Sequence, residues 1–163
     1  MSRIIYVGNS EFAVGPLKYL YQSNHEVSLV ISQNDKVRSR GKTSPTPVKQ
    51  YAIENNLQVF TTDNINDECS VSEIDKINPD FIVVVSFGQF IGKELMDKYK
   101  DRILNVHASI LPKYRGASPI QTALLNGEKE TGVSIMLIDE GMDTGDVLKI
   151  CKLSLRDDHT SIK

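Results

Sequence analysis

Cysteine and histidine are scarce in this chain, and their scarcity limits the chemistry open to it. Only Cys69 and Cys151 are present, with no CxxC pair, and three histidines occur among the 163 residues. A zinc site needs a cluster of such ligands at short spacing, so the sequence predicts no metal site. We interpret both cysteines as free thiols in the core of a protein from a reducing compartment.

Long apolar segments and an excess of charge of either sign are missing as well. The longest apolar run covers residues 81–85, far below the roughly 20 residues that span a bilayer. The net charge of −2 gives no global signal for nucleic acid, so any basic surface must be local. The opening MSRIIYVGNSEF leads directly into an apolar strand without a targeting segment. Length and composition thus predict one cytoplasmic domain with no membrane partner.

Motifs of several common enzyme classes are absent. Gly8 and Gly15 do not form a GxGxxG pattern, and the sequence has no P-loop, no GxSxG elbow and no HExxH helix. The sequence therefore does not predict a dinucleotide site, an ATP phosphate cradle or a zinc protease.

What is present is the alternation of strand and helix signals that is typical of an α/β fold. Aliphatic and β-branched runs predict strands, and Thr46-Pro47 and Ser118-Pro119 predict capped helix starts. This alternation predicts a mostly parallel central sheet. The predicted strands cover residues 4–7, 27–32, 59–60, 80–86, 103–106, 131–139 and 147–155, the predicted helices cover 14–22, 47–55, 72–77, 92–99 and 119–125, and residues 33–47 are predicted to be a loop.

Three polar side chains follow predicted strands, where ligands bind in α/β sheets. Asn105 and His107 end one strand and share a face because side chains alternate, and Asp143 lies in the turn DEGMDTGD. An amide that polarises a carbonyl, an imidazole that carries a proton and a carboxylate that sets its protonation state are what acyl or formyl transfer needs. The alternatives are a structural histidine and an ordinary turn aspartate.

The segment SFGQFI follows the most apolar strand and indicates a ligand contact. Gly88 would let the backbone approach a flat ligand closely. Phe87 and Phe90 would line an apolar pocket or, alternatively, plug the end of the sheet.

A local basic patch occupies the predicted loop after the second strand. Five cations face a single nearby acid, Asp35, which indicates phosphate contacts such as those with RNA; the alternative is a solvated flexible loop. The five cations are Lys36, Arg38, Arg40, Lys42 and Lys49.

The motifs together resemble a known family. The stretch NVHASILPKYRGASPIQTALLNGEKETGVSIMLIDEGMDTGDVL resembles the core of the folate-dependent formyltransferases. The segments GNSEFAVGPLKYL, RGKTSPTPVKQYA, VVVSFGQFI and RGASPIQ are similar to the methionyl-tRNA branch of that family, which often has Trp where this chain has Tyr114. The resemblance implies a Rossmann-like domain with helices on both faces of the sheet. It also implies that residues 1–163 are a truncated catalytic domain, without the family's C-terminal tRNA-binding β-barrel.

The resemblance further implies a reaction and its residues. The formyl group of 10-formyltetrahydrofolate would pass to the α-amine of initiator methionyl-tRNA, in a monomer without metal, with Asn105, His107 and Asp143 as catalytic residues. The alternatives are a sugar-nucleotide or purine-pathway N-formyltransferase, a hydrolase that releases formate, or a folate- or RNA-binding fragment without activity. The implied tRNA contacts are Arg38, Arg40 and Lys42, and the implied folate contacts are Phe87, Gly88, Gln89, Phe90, Ile91, Ser109, Ile110, Leu111, Pro112, Ile138, Asp139 and Gly141.

Overall fold

The computed structural model describes residues 1–37, 39–116, 118–141 and 144–155, without the side chain of Ser39. Most predicted elements are present within one or two residues of their predicted bounds. In chain order the elements are β1 (Arg3–Gly8), a 3-10 turn (Glu11–Ala13), α1 (Val14–Gln22), β2 (Glu26–Ser32), β3 (Lys36–Val37), a second 3-10 turn (Ser39–Gly41), β4 (Thr43–Ser44), α2 (Pro47–Glu54), β5 (Val59–Thr61), α3 (Glu68–Ile77), β6 (Phe81–Val85), α4 (Lys93–Lys98), β7 (Ile103–His107), α5 (Pro119–Leu125), β8 (Glu130–Leu137) and β9 (Val147–Ser154).

Seven of these strands form one sheet in the order β5-β2-β1-β6-β7-β8-β9. The first five are parallel, whereas β8 runs antiparallel to β7 and β9 antiparallel to β8. From β1 the chain builds outward through β2 and β5, and then returns to place β6 on the other side of β1. The prediction of a mostly parallel α/β sheet is confirmed, and the reversal between β1 and β6 opens a crevice at their carboxyl ends.

Two apolar clusters cover the two faces of the sheet. Ile5 and Val7 of β1 join one cluster with residues of α3 and α4, while Ile4 and Tyr6 join the other with residues of α1 and α2. Each face must be apolar because parallel sheets are covered on both sides, and each buried Ile or Val contributes about 1.5–3 kcal/mol. The predicted helices on both faces are therefore confirmed.

Capping side chains set the helix starts. The Thr46 hydroxyl accepts a hydrogen bond from the Lys49 backbone N–H at 3.1 Å, as predicted for α2. Helix α3 begins at Glu68, earlier than the predicted residue 72, because the Asp67 carboxylate accepts from the Ser70 N–H at 2.7 Å. Helix α5 begins at Pro119 with Ser118 as its N-cap residue, as predicted, but the Ser118 side chain makes no cap hydrogen bond.

Two further expectations are corrected. The predicted loop 33–47 contains a small antiparallel ribbon of β3 and β4. Cys69 and Cys151 are free but exposed rather than buried, since Cys69 lies on the outer face of α3 and Cys151 on edge strand β9. Among the described residues, no helix combines the length and apolar character needed to cross a bilayer.

Candidate active site

A large cavity lies at the carboxyl edge of the sheet, over the crevice between β1 and β6. Its volume is about 1210 Å³, above the range of roughly 300–1000 Å³ common for small-molecule sites. Its lining includes segments 10–12, 86–91, 105–108 and 138–141. We call this cavity the cleft, and its volume leaves room for an extended ligand together with part of a second one.

Asn105 and His107 lie side by side on the wall of the cleft. Strand β7 alternates, so that Asn105 and His107 share one face of the sheet. Val106 also lines the cleft, and it packs against the cluster that contains Ile4 and Tyr6. Asn105 pairs in register with Val84 of β6 and Met136 of β8, and His107 pairs with Ser134 of β8. Because β7 is held on both sides, the amide and the imidazole are presented from a rigid support.

The imidazole of His107 is 6% exposed and makes a specific backbone contact. Its Nε2 lies 2.7 Å from the carbonyl oxygen of Tyr114. A carbonyl can only accept, so Nε2 carries the proton and donates it. In the neutral ring, Nδ1 then holds the lone pair.

The loop after β6 forms a second wall of the cleft. Ser86 and Gly88 both have left-handed backbone conformations, with φ of +52° and +80°. A Cβ added at Gly88 would meet nothing within 4 Å, so glycine is needed there for its conformation and not for lack of space. Phe87 is buried in the core at 2% exposure, which supports its interpretation as a plug, whereas Phe90 is 69% exposed at the cleft.

Three side chains that the sequence analysis did not single out hold this loop. The Asn9 amide donates to the Phe87 carbonyl at 2.7 Å, and the Asn66 amide donates to the Phe90 carbonyl at 2.8 Å. The Ser10 hydroxyl donates to the Ser86 hydroxyl at 2.8 Å. Asn9 and Ser10 directly follow β1, so their position beyond the first strand was a usable signal.

A buried tyrosine supports the 3-10 turn that forms a third wall of the cleft. The Tyr6 hydroxyl donates to the Ala13 carbonyl at 2.6 Å, beneath the 3-10 turn that carries Glu11 and Phe12. Burial raises the pKa of Tyr6 far above its usual range, so the hydroxyl stays protonated and keeps donating. Glu11 is a further carboxylate on the cleft wall that the sequence analysis did not identify.

The predicted folate residues divide into two groups. Segment 87–91 and Ile138, Asp139 and Gly141 line the cleft. Residues 109–112 are not among the lining residues in the described part of the chain, and Ser109 is fully buried with its hydroxyl donating to the Lys113 carbonyl. Folate contact at Ser109, Ile110, Leu111 and Pro112 therefore stays a prediction that the cleft does not support.

Two of the four remaining predicted site residues belong to the described part of the chain. Asp143 and Arg38 fall outside the described residues, so their roles stay predictions. Arg40 and Lys42 are exposed in the loop that leaves β2 at the same edge of the sheet as the cleft, and Arg40 has a left-handed φ of +65°. Lys49 instead pairs with Asp35 at 2.7 Å. Over the described residues, no three His, Cys, Asp or Glu side chains are grouped in a way that could hold a metal ion.

Comparison with known proteins gives the family. The sequence pattern of the family described as "Formyl transferase" matches residues 2–162. The chain belongs to the formyl transferase family. A protein named methionyl-tRNA formyltransferase from Finegoldia magna is 57% identical over 155 residues, which cover 94% of this chain and 50% of that protein. The protein of the same name from Clostridioides difficile is 42% identical over 98% of this chain and 52% of its own length.

The chain spans about half the length of these formyl transferase relatives. Solved structures share the fold. A phosphoribosylglycinamide formyltransferase from Streptococcus pneumoniae superposes with a TM-score of 0.81 at 22% identity, covering 98% of this chain and 86% of that one. A formyltetrahydrofolate deformylase from Pseudomonas syringae gives 0.72 at 18% identity over 97% of this chain and 52% of that one. At such low identity these likenesses establish the Rossmann-like formyl transferase fold alone.

Proposed function

We propose that this domain transfers the formyl group of 10-formyltetrahydrofolate to the α-amine of initiator methionyl-tRNA. The observation that carries the proposal is the Asn105–His107 pair on the wall of the cleft, at the edge of the sheet where α/β proteins bind ligands. The 57% identity to a protein named methionyl-tRNA formyltransferase supports this acceptor over a sugar nucleotide or a purine precursor.

The reaction needs one carbon–nitrogen bond to form and one to break. The amine nitrogen attacks the formyl carbon, and the formyl oxygen takes negative charge. Collapse of this adduct breaks the bond from carbon to N10 of the folate, which leaves with a proton, while the new amide loses the proton of the former amine. The site must therefore stabilise an oxyanion and move one proton from the acceptor to the folate nitrogen.

Asn105 and His107 fit these two tasks. The Asn105 amide is a donor at any pH and stabilises the oxyanion. The imidazole of His107 exchanges the proton, together with Asp143 and a water molecule. The fixed strand β7 keeps both groups in place before the substrates arrive, which is the condition for electrostatic stabilisation at low reorganisation cost.

The folate is proposed to lie between the loop after β6 and the loop after β8. Backbone groups of segment 87–91 and of Ile138, Asp139 and Gly141 would hydrogen bond the pterin. The exposed Phe90 ring offers an apolar surface for a flat ring at the mouth of the cleft. This arrangement directs the folate N10 end toward β7.

The acceptor is proposed to enter along the basic loop that leaves β2. Arg38, Arg40 and Lys42 supply positive charge there, and tRNA affinity gains from each phosphate that such a cation neutralises. The domain would bind its acceptor as a monomer, in the cytoplasm.

Replacing Asn105 with alanine tests the chemical assignment. We expect turnover to fall by roughly 10² to 10³, the loss typical for one oxyanion donor, with the dissociation constant of the folate donor little changed. Steady-state transfer kinetics and donor binding measure the two quantities. A loss of turnover below tenfold in a folded variant would show that Asn105 does not stabilise the oxyanion.

A further inference from the structure

The loop between β7 and α5 makes a contact that the proposed reaction has not yet used. Its Tyr114 carbonyl accepts the proton of His107 Nε2 at 2.7 Å. Tyr114 itself has a left-handed φ of +56°, a conformation that a tyrosine rarely adopts without being held.

We infer that Tyr114, anchored through its hydroxyl to Glu128, is a positioning residue that fixes the tautomer of His107 and makes Nδ1 the nitrogen that exchanges protons. This inference rests on the proposed function for the role of His107 in catalysis. Its statement about the tautomer does not depend on that role.

The anchor is a short hydrogen bond to a charged group. The Tyr114 hydroxyl donates to Glu128 Oε1 at 2.5 Å, and the Asn126 amide approaches the same hydroxyl at 3.4 Å. Glu128 is half-buried, and its own backbone N–H donates to the Ala123 carbonyl of α5. Hydrogen bonds to a carboxylate are among the stronger ones in proteins, so this contact can hold a tyrosine in an unfavourable backbone conformation.

The base of the loop is fastened separately. The Ser134 hydroxyl of β8 donates to the Ser109 carbonyl at 2.7 Å and accepts from the Leu111 N–H at 3.1 Å. The Ser109 hydroxyl in turn donates to the Lys113 carbonyl at 2.6 Å. With its base fixed on β8 and its outer end fixed at Glu128, the loop presents the Tyr114 carbonyl at one position relative to the imidazole.

The contact with the Tyr114 carbonyl gives the two ring nitrogens of His107 different roles. Because Nε2 keeps its proton on the carbonyl, the neutral ring can accept a proton only at Nδ1. The ring can donate toward an oxyanion from Nδ1 only after it has become imidazolium. His107 therefore first accepts the amine proton at Nδ1 and then donates from the same nitrogen to the oxyanion. The Asn105 amide can donate whether the ring is neutral or protonated.

Substitutions at both ends of the anchor test the inference. Tyr114→Phe removes only the hydroxyl, Glu128→Ala removes the acceptor, and Glu128→Gln keeps an amide oxygen that can accept. Lys113→Ala is the matched control, because it removes another partner of Glu128, an ammonium 3.9 Å from the same carboxylate oxygen, and leaves the Tyr114 hydroxyl in place. Nitrogen-15 chemical shifts of the histidine rings, assigned with His107→Gln, report the tautomer in the intact protein at a pH where the ring is neutral.

We expect His107 in the unsubstituted protein to show a protonated Nε2 and an unprotonated Nδ1. Tyr114→Phe and Glu128→Ala should yield a mixture of tautomers and roughly tenfold slower turnover, with the KM for the formyl donor within about twofold. Glu128→Gln should recover most of the lost rate, and Lys113→Ala should resemble the unsubstituted protein.

Two results would overturn the inference. One is a protonated Nδ1 in the unsubstituted protein; the other is an unchanged tautomer and rate in Tyr114→Phe with thermal unfolding intact. Either result leaves the proposed function standing if His107→Ala abolishes transfer. Failure of the unsubstituted protein to transfer formyl at all would reject the proposed function, while the nitrogen shifts would still decide the tautomer.

Discussion

Replacing Asn9 with alanine should loosen the side of the cleft where we propose that folate binds, because this one side chain connects the ends of three strands. It donates to the Phe87 carbonyl beyond β6, and its Oδ1 accepts from the Ser32 hydroxyl of β2 at 3.0 Å and from the Gln33 N–H at 2.9 Å. The substitution leaves these groups without that partner, although Ser32 keeps its contact with Thr46.

The size of the effect follows from these three bonds. Each hydrogen bond contributes about 0.5–1.5 kcal/mol net. Because Asn9 is half-buried, water can replace part of what the three bonds contribute, so we expect the free energy of unfolding to fall by about 2 kcal/mol. For a domain of this size that loss lowers Tm by about 4–8 °C. The bond to Phe87 alone, at about 1 kcal/mol, should weaken binding of 10-formyltetrahydrofolate about fivefold.

Thermal unfolding and equilibrium donor binding without acceptor measure the two Asn9→Ala effects. Asn55→Ala is the matched control: its amide also donates to a backbone carbonyl, that of Tyr51 at 2.9 Å, but at the end of α2 and not on the cleft wall. A folded Asn9→Ala protein that binds the donor within twofold of the unsubstituted protein would refute the reasoning. So would an equal loss of donor affinity in Asn55→Ala.

Two further predictions concern the basic loop and the contact between α3 and the end of α4. Arg40→Ala should weaken tRNA binding, lower the salt dependence of that binding by about one ion and leave donor binding unchanged. The control Lys100→Ala removes a cation at an exposed turn before β7 and should leave tRNA binding and its salt dependence unchanged. Filter binding across a salt series measures both variants. Hydrogen bonds from Lys98 and Tyr99 hold the pKa of Asp75 below its usual range. The ionised Asp75 therefore stabilises the folded protein fully above the pKa of this group in the unfolded chain, and this contribution is lost as the pH falls through the lowered pKa. Urea unfolding should then show stability declining more steeply below about pH 4 in the unsubstituted protein than in Asp75→Asn; parallel curves would contradict the assignment.

Much of the fold could be predicted from local sequence patterns, because burial and helix capping strongly favour one structure at those positions. Run 82–85 must be buried on both faces, which places β6 in the centre of the sheet, and Thr46-Pro47 starts α2 because a hydroxyl cap and a fixed φ both favour it there. The direction of β8 did not follow, because a strand's apolar alternation is the same whether its neighbour is parallel or antiparallel. Exposure of Cys151 likewise depends on β9 being the edge strand, which is set by the whole sheet.

For the candidate site, the positions of some residues could be predicted from the sequence. Alternation along a strand is enough to place Asn105 and His107 on one side. Gly88 was singled out for close approach to a ligand, whereas the structure shows that it supplies a left-handed backbone. The partners of these residues were not predictable. That Asn9 reaches the Phe87 carbonyl, or that His107 reaches the Tyr114 carbonyl, depends on distances of under 3 Å between segments joined only in the folded chain.

The most direct test of the central claim is formyl transfer by the intact protein from 10-formyltetrahydrofolate to initiator methionyl-tRNA, beside reactions with a sugar-nucleotide amine, with a purine-precursor amine and with no acceptor. Our account predicts formylmethionyl-tRNA as the product, loss of that product in His107→Ala, and little formate without acceptor. Equal formate release with and without acceptor, or transfer confined to one of the small amines, would contradict it.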